Sequence, residues 1–352
     1  MTVPHPDSRQ QLKLQARRPG GVGKFAGPRT RHTGNVVDVP PERRRRALLA
    51  ALGAAIVAPL MNACAAPMRD QGVSPADLFE EPGFVAPPEG TSRRIALVLS
   101  GGAARGFAHI GMLRVLEREG LRPDLVVGTS AGAIVGAMVA SGMSVNQIET
   151  AAEQLDWTVL LDFDPVRAVL GGLGLGLVPG ERLEQFLRAH LRAPIEGFPV
   201  AFAAVAADME SADVVPLNHG DAARAVRASC AVPGVYAPVR ARGRLLGDGQ
   251  IVSPLPVLTA RRLGALRTLA LDVVYPPRHS EMATPISMLF QSLIVSQRRH
   301  VLAERAMADL VIVPEIRSSS QLGLASRGWL IEAGEKAAQA NVVEIRALFS
   351  ES

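Results

Sequence analysis

Two short apolar runs, each followed at once by a glycine-containing turn and a helical pattern, constrain this chain more than any other feature. Ile95-Ala96-Leu97-Val98-Leu99 leads into Ser100-Gly101-Gly102-Ala103-Ala104-Arg105-Gly106. Apolar positions at Ile110, Leu113, Val115 and Leu116 then run to Gly120. Leu125-Val126-Val127 leads into Gly128-Thr129-Ser130-Ala131-Gly132 and a small-residue stretch from Ala133 to about Ser141. Continuous apolar runs of strand length between helical segments predict strands buried on both faces. The expected fold class is α/β, a three-layer α/β/α sandwich with a mostly parallel central sheet. Further strands are predicted at 202–207 and 310–313. Helices are predicted from a capping box at Ser144-Val145-Asn146-Gln147 to about Leu155, over 181–191, over 285–307 as one or two pieces, and over 329–349 as a closing helix.

Composition fits such a domain. With 48% hydrophobic and 20% charged residues the chain is not globally disordered. Two cysteines build neither a disulfide framework nor a four-cysteine zinc site. The net charge of +5 invites a nucleic-acid or anionic-lipid reading, but its distribution removes the first. Residues 1–63 hold 11 basic and 3 acidic residues, leaving 27 basic against 30 acidic in 64–352. The basic excess is a property of the leader, and no nucleic-acid partner is expected.

That leader reads in three parts. Residues 1–41 are polar and rich in Pro, Gly and Arg. Arg43-Arg44-Arg45-Arg46 precedes the uncharged stretch Ala47–Ala63, which ends at Cys64. A charged region, an apolar region and a small residue before the cut describe a secretory signal. The cysteine directly after Ala63 resembles a bacterial lipoprotein signal, which implies lipidation of Cys64 and anchoring to a membrane. Ala65 and Ala66, in place of Asp, favour the outer membrane facing the periplasm. The arginine run also resembles a twin-arginine export signal. The expected organisation is a leader and signal over 1–63, a lipidated cysteine and Pro/Gly-rich tether over 64–92, and a catalytic domain over 93–352.

The chemistry is carried by three pieces. Gly128-Thr129-Ser130-Ala131-Gly132 fits the G-x-S-x-G elbow, in which Ser130 sits on a tight turn between strand and helix. The helix amino terminus beneath it favours developing negative charge. The Gly101–Gly106 loop lacks both the Gly-Lys-Ser/Thr of a nucleotide loop and the G-x-G-x-x-G spacing, so an oxyanion hole is its better use. Asp248, between Gly247 and Gly249, is expected to be exposed on a flexible turn after the apolar pair Leu245-Leu246.

In that order the motifs resemble the patatin-like phospholipases, the bacterial branch related to neuropathy target esterase. Gly101–Gly111 matches the oxyanion segment. Asp124 with Gly128–Gly132 matches the nucleophile segment. Ala228-Ser229-Cys230-Ala231-Val232-Pro233-Gly234-Val235-Tyr236-Ala237-Pro238 matches a third block, and Gly247-Asp248-Gly249 with Pro254-Leu255-Pro256-Val257 the base segment. Ala103 stands where a third glycine is frequent, and Gln250 where Gly or Ala is usual. The resemblance implies a Ser130–Asp248 dyad without histidine, an oxyanion hole from Gly101, Gly102 and Ala103, and supporting roles for Arg105, Gly106, Gly128, Gly132 and Gly249. It implies a phospholipid or lysophospholipid substrate, with no cofactor and no metal. Oligomeric state is left open.

Two rivals remain at this stage. One is an α/β-hydrolase triad of Ser130, Asp248 and either His279 or His300. The other is a lipid-anchored acyl-lipid-binding protein with a decayed site, to which Ala103 and Gln250 point. Several residues have quieter readings. His109 is expected to pack or cap, Arg105 to steady the glycine loop or meet a lipid phosphate, and Cys230 to be a small buried hydrophobe. Asp208 is expected to end a strand, and the apolar, glycine-rich run 171–177 reads as a lid or a connection.

Overall fold

The computed structural model describes residues 80–160, 176–274, 285–316 and 326–350. The leader, Cys64, most of the tether, residues 171–175 and His279 lie outside the described residues. In chain order the elements are β1 (Arg93–Leu99), α1 (Phe107–Arg118), β2 (Leu125–Thr129), α2 (Ala131–Ala140), α3 (Val145–Gln154), α4 (Trp157–Leu160) and β3 (Gly176–Val178). There follow α5 (Glu181–His190), β4 (Ala201–Asp208), β5 (Val214–Leu217), α6 (Ala222–Ser229), β6 (Gly234–Tyr236), β7 (Val239–Ala241) and β8 (Arg244–Asp248). The last are α7 (Val257–Arg262), β9 (Ala265–Leu271), α8 (Pro285–Met307), β10 (Leu310–Ile312), α9 (Arg327–Ala340) and α10 (Val342–Ser350).

Eight strands form one sheet, traced as β10-β9-β1-β2-β4-β8-β7 with β5 on β4. From β10 to β4 every pairing is parallel. The pairings of β4 with β5, β4 with β8 and β8 with β7 are antiparallel, so the sheet is mixed. Both faces are covered, as expected for parallel strands. Along β1, Ile95, Leu97 and Leu99 enter the core shared with α1, α2 and α9, whereas Ala96 and Val98 enter the core shared with α7. The same alternation runs through β2 (Val126 against Leu125 and Val127) and β4 (Phe202 and Ala204 against Ala203 and Val205). Successive residues of a strand point to opposite faces, so one apolar run feeds two cores and fixes three layers.

Helices end where the sequence provides the chemistry. Gly120 takes φ 68° and Leu121 N–H donates back to the Leu116 carbonyl, the glycine-terminated end of α1. Ser144 and Gln147 form the predicted capping box at α3. The closing helix expected over 329–349 is two helices, because α9 ends and α10 begins around Asn341. The expected tether also ends early. Gly83 bridges to His219, and Arg242 N–H donates to Glu81 Oε2 at 2.8 Å, so residues from 80 onward lie on the domain surface.

α9 is pressed onto α1 at two glycines. A Cβ on Gly111 would collide with the Ile331 carbonyl, and one on Gly334 would collide with the Ala108 carbonyl. The helix following the glycine loop is thus held from behind by backbone-to-backbone contact. Gly334→Ala is expected to destabilise the domain on the order of 3 kcal/mol, since main-chain carbonyls have no rotamer by which to retreat. Urea unfolding monitored by circular dichroism measures it, and an unchanged midpoint contradicts the packing described.

Candidate active site

The site lies where two strands meet tip to tip. In β4, Val205 pairs with Thr129 of β2 on one edge and with Pro216 of β5 on the other. One residue further, Ala206 pairs with Asp248 of β8 and again with β5, at Val215. β2 and β8 therefore share one edge of β4, running toward each other and ending there. Ser130 follows the tip of β2 and Asp248 is the tip of β8. Ser130 Oγ donates to Asp248 Oδ2 at 2.8 Å.

Ser130 takes φ 54° and ψ −122°, a conformation side chains disfavour, between the end of β2 and the first turn of α2. The flanking glycines make the turn sterically feasible. A Cβ on Gly128 would strike the Gly132 carbonyl, one on Gly132 the carbonyls of Leu99 and Ser100, and one on Gly106 the Ala131 methyl. Gly249 plays the same part behind the aspartate, against the Val205 carbonyl. Motif glycines here serve close approach, and none of these four has a left-handed φ.

Ser229 fastens Ser130 from behind. Its hydroxyl accepts from Ser130 N–H at 2.9 Å and donates to the Val205 carbonyl at 2.6 Å. Sequence reasoning passed over Ser229 as a site residue, although it stands in the third motif block. A serine within Ala-Ser-Cys carries no signal of its own.

Contrary to the expected exposed turn, Asp248 closes β8 and is only 2% exposed, and its two oxygens are engaged separately. Oδ2 accepts from Ser130, and Oδ1 accepts from Gln250 N–H at 2.8 Å. Burial raises its pKa from 3.8 to about 7, with the Gln250 and Ser130 hydrogen bonds opposing that shift.

The glycine loop differs in one respect from expectation. Gly101 N–H donates to the Pro254 carbonyl at 3.0 Å and is committed to holding the loop. Gly102 and Ala103 follow at the start of a short 3-10 turn, and both line the pocket with Ser130 and Asp248. Ala103 takes φ 51°, so the residue that replaces a glycine adopts a glycine-like backbone. Arg105 is 2% exposed, donates from Nε to the Val273 carbonyl at 3.0 Å, and borders the pocket as well.

The remaining candidates separate by position. His109 is fully buried, with Nε2 at 2.9 Å from the Ser100 carbonyl, and burial lowers its pKa to about 4. It braces the strand end that enters the glycine loop. Burial and the neighbouring Asp248 push the Cys230 thiol up, as befits a buried apolar side chain. Asp208 ends β4 and pairs with Arg244 at 2.9 Å. Asp124 accepts from Ile95 N–H at 3.1 Å, joining the starts of β1 and β2. His300 is exposed on α8. Among the described residues no three His, Cys, Asp or Glu side chains gather as metal ligands, and no helix is long and apolar enough to cross a membrane.

Comparison with known proteins gives the same segment. Residues 97–261 match the family model described as patatin-like phospholipase, and this span contains the glycine loop, Ser130 and Asp248. An uncharacterized NTE family protein of Mycobacterium tuberculosis is 36% identical over 187 residues, covering 52% of this chain and 50% of the relative. Patatin-like phospholipase domain-containing protein 7 of Rattus norvegicus is 33% identical over 192 residues, 52% of this chain and 14% of that protein. The chain thus spans half or less of the length of these relatives. Among solved structures, VipD from Legionella pneumophila aligns over 79% of this chain and 72% of its own, at 16% identity and a TM-score of 0.43.

Burying Asp248 has a thermodynamic signature. The folded protein binds a proton here more tightly than the unfolded chain, so stability falls as pH rises through the interval from about 4 to about 7. Asp248→Asn lacks that loss. It is expected to melt above the wild type at about pH 8, with the gap closing toward pH 4, as thermal scans across pH measure.

Proposed function

We propose that this patatin-like domain is a serine acyl hydrolase that cleaves fatty-acyl esters of phospholipid or lysophospholipid through Ser130 and Asp248. One observation carries the reading: the hydroxyl of a strained serine at the amino terminus of α2 donates directly to a buried carboxylate whose pKa is raised to about 7. A carboxylate of ordinary acidity is a poor base at neutral pH. One with a pKa near the working pH accepts and returns a proton with little penalty either way.

Each step uses groups in that arrangement. Ser130 Oγ attacks the ester carbonyl carbon while its proton passes to Asp248 Oδ2. The carbonyl oxygen becomes an oxyanion facing the N–H groups of Gly102 and Ala103, where each donor typically contributes about 3 kcal/mol of transition-state stabilisation. Asp248 then protonates the departing alcohol, leaving an acyl group on Ser130. Water, deprotonated by Asp248, hydrolyses that ester and restores the serine. The Gln250 and Ser229 hydrogen bonds keep base and nucleophile from turning away during the cycle.

The direct contact disfavours the triad, in which an imidazole stands between hydroxyl and carboxylate. A binding protein with a decayed site is disfavoured by the retained strain and the intact Ser–Asp hydrogen bond, which a purely structural turn does not need. A lipid substrate is supported by the family match and by α8, which borders the pocket and exposes Met288, Val295 and Leu302 on its outer side at seven-residue spacing. The proposal extends to location: export, acylation at Cys64 and anchorage to a bacterial membrane, the outer membrane facing the periplasm being favoured.

Ser130→Ala is expected to abolish both fluorophosphonate labelling and ester hydrolysis, while His279→Ala with His300→Ala retains them. Labelled, folded wild type without hydrolysis of any ester in a lipid panel would favour the binding protein. Because the base acts only when ionised, kcat/KM for a soluble ester is expected to rise with pH and level off above about 7. A profile flat down to about pH 5 removes Asp248 from that role. Radioactive palmitate incorporation that survives Cys64→Ala removes the anchor.

A further inference from the structure

We propose that the side chains of Gln250 and Gln297 form a gate that decides which acyl groups reach Ser130. The proposal rests on the hydrolase reading above and extends it to substrate selection. The pocket at Ser130 has a volume of about 40 Å³. Room for one water takes roughly 10–15 Å³ of such volume, and small-molecule sites run from about 300 Å³ upward, so the pocket as it stands is far smaller than a fatty-acyl chain needs.

What closes it is specific. Gln250 follows the base turn and projects its amide oxygen against Gly101, where a Cβ would collide with it. Its Nε2 donates to Gln297 Oε1 at 3.0 Å, across to α8. Gln297 is 1% exposed, and Ile294, one turn earlier on α8, completes that wall. The rest of the lining includes Val232, Pro233 and Ile251, so the amide pair is a polar closure in a largely apolar wall. Gln297 is buried and Gln250 half-buried, and their mutual hydrogen bond keeps the wall shut, because parting them leaves the buried Gln297 amide without this partner until something replaces it.

The attachment of α8 shows which part yields. Further along the helix, Glu304 accepts from Ser253 Oγ at 2.9 Å and from Leu258 N–H at 2.7 Å. Arg305 Nε pairs with Asp272 Oδ2 at 2.5 Å. These bonds are charge-assisted and hold that end of α8 firmly. At Gln297, two turns earlier, the bond to the base turn is between neutral amides and is the weaker one. A short acyl group leaves it closed, whereas a long chain must part it.

Only side chains are involved. The hydrogen bond that steadies Asp248 comes from the Gln250 main chain and is retained in Gln250→Ala. The test measures kcat/KM of the full chain on p-nitrophenyl acetate, butyrate, octanoate and dodecanoate. Gln250→Ala and Gln297→Ala are each expected to raise the dodecanoate-to-acetate ratio about fivefold, equivalent to ~1 kcal/mol. The double variant should gain little more, because both changes remove one bond. An unchanged ratio, or an equal fall on all four esters, overturns the gate. Gln297 is far from the reacting atoms in sequence and on another element, so it reads the same gate should Gln250→Ala fold poorly. Labelling rates with short- and long-chain alkyl fluorophosphonates separate the two ideas. Wild-type Ser130 that reacts with neither probe defeats the hydrolase reading, whereas equal rates for both, unaltered in the variants, defeat the gate alone.

Discussion

A carboxylic acid shielded from water beside a strained serine is the constraint around which this domain is organised. Removing Asp248 from solvent favours its neutral form and lifts its pKa to about 7, and the two hydrogen bonds it accepts offset only part of that. The surrounding fold supplies the rest. β2 and β8 end on the same edge of β4, so the two tips have no freedom to separate without breaking sheet pairing. A buried carboxyl group of this kind is sustained by the sheet and not by its own contacts.

The same rigidity explains why so many glycines crowd one corner. Ser130 needs a backbone conformation that side chains resist, and the turn that holds it must pack within van der Waals reach of β1. At Gly128, Gly132 and Gly106 the neighbours are main-chain atoms or a methyl on a helix, none of which yields. Behind the corner, Ser229 joins the Ser130 amide to the Val205 carbonyl of β4, and His109 braces the strand end leading into the loop. Each is a polar group, itself buried, that locks one piece of backbone, a use of side chains that stabilises geometry more than it stabilises the fold.

Much of this was legible in the residues. Apolar runs at 95–99 and 125–127 predicted strands because a strand buried on both faces has no polar side to reveal, and β1 and β2 sit there. Ser144 and Gln147 announced a helix start because a capping box is a local interaction between residues three apart. Expectations strayed where neighbours decide. Nothing in the 329–349 periodicity marks Asn341 as a break between two helices, since both sides remain amphipathic. The Pro- and acid-rich run before β1 reads as a free tether, yet from residue 80 it is tied to residues 218–221 and 242, more than a hundred positions away.

The division at the site follows the same line. The sequence by itself determined the candidate groups and the local turns: a serine between glycines after a strand, a glycine loop before a helix, an aspartate between glycines. Such features depend on residues within one or two turns of each other. Only the tertiary structure decided that β8 arrives antiparallel on the edge β2 vacates, which brings Asp248 to 2.8 Å from Ser130 across a separation of 118 residues. It also decided that Gly101 commits its amide to Pro254, that Ser229 backs Ser130, and that α8 brings Gln297 to the pocket wall. These are pairings between surfaces that meet once the sheet has formed, and no spacing along the chain encodes them.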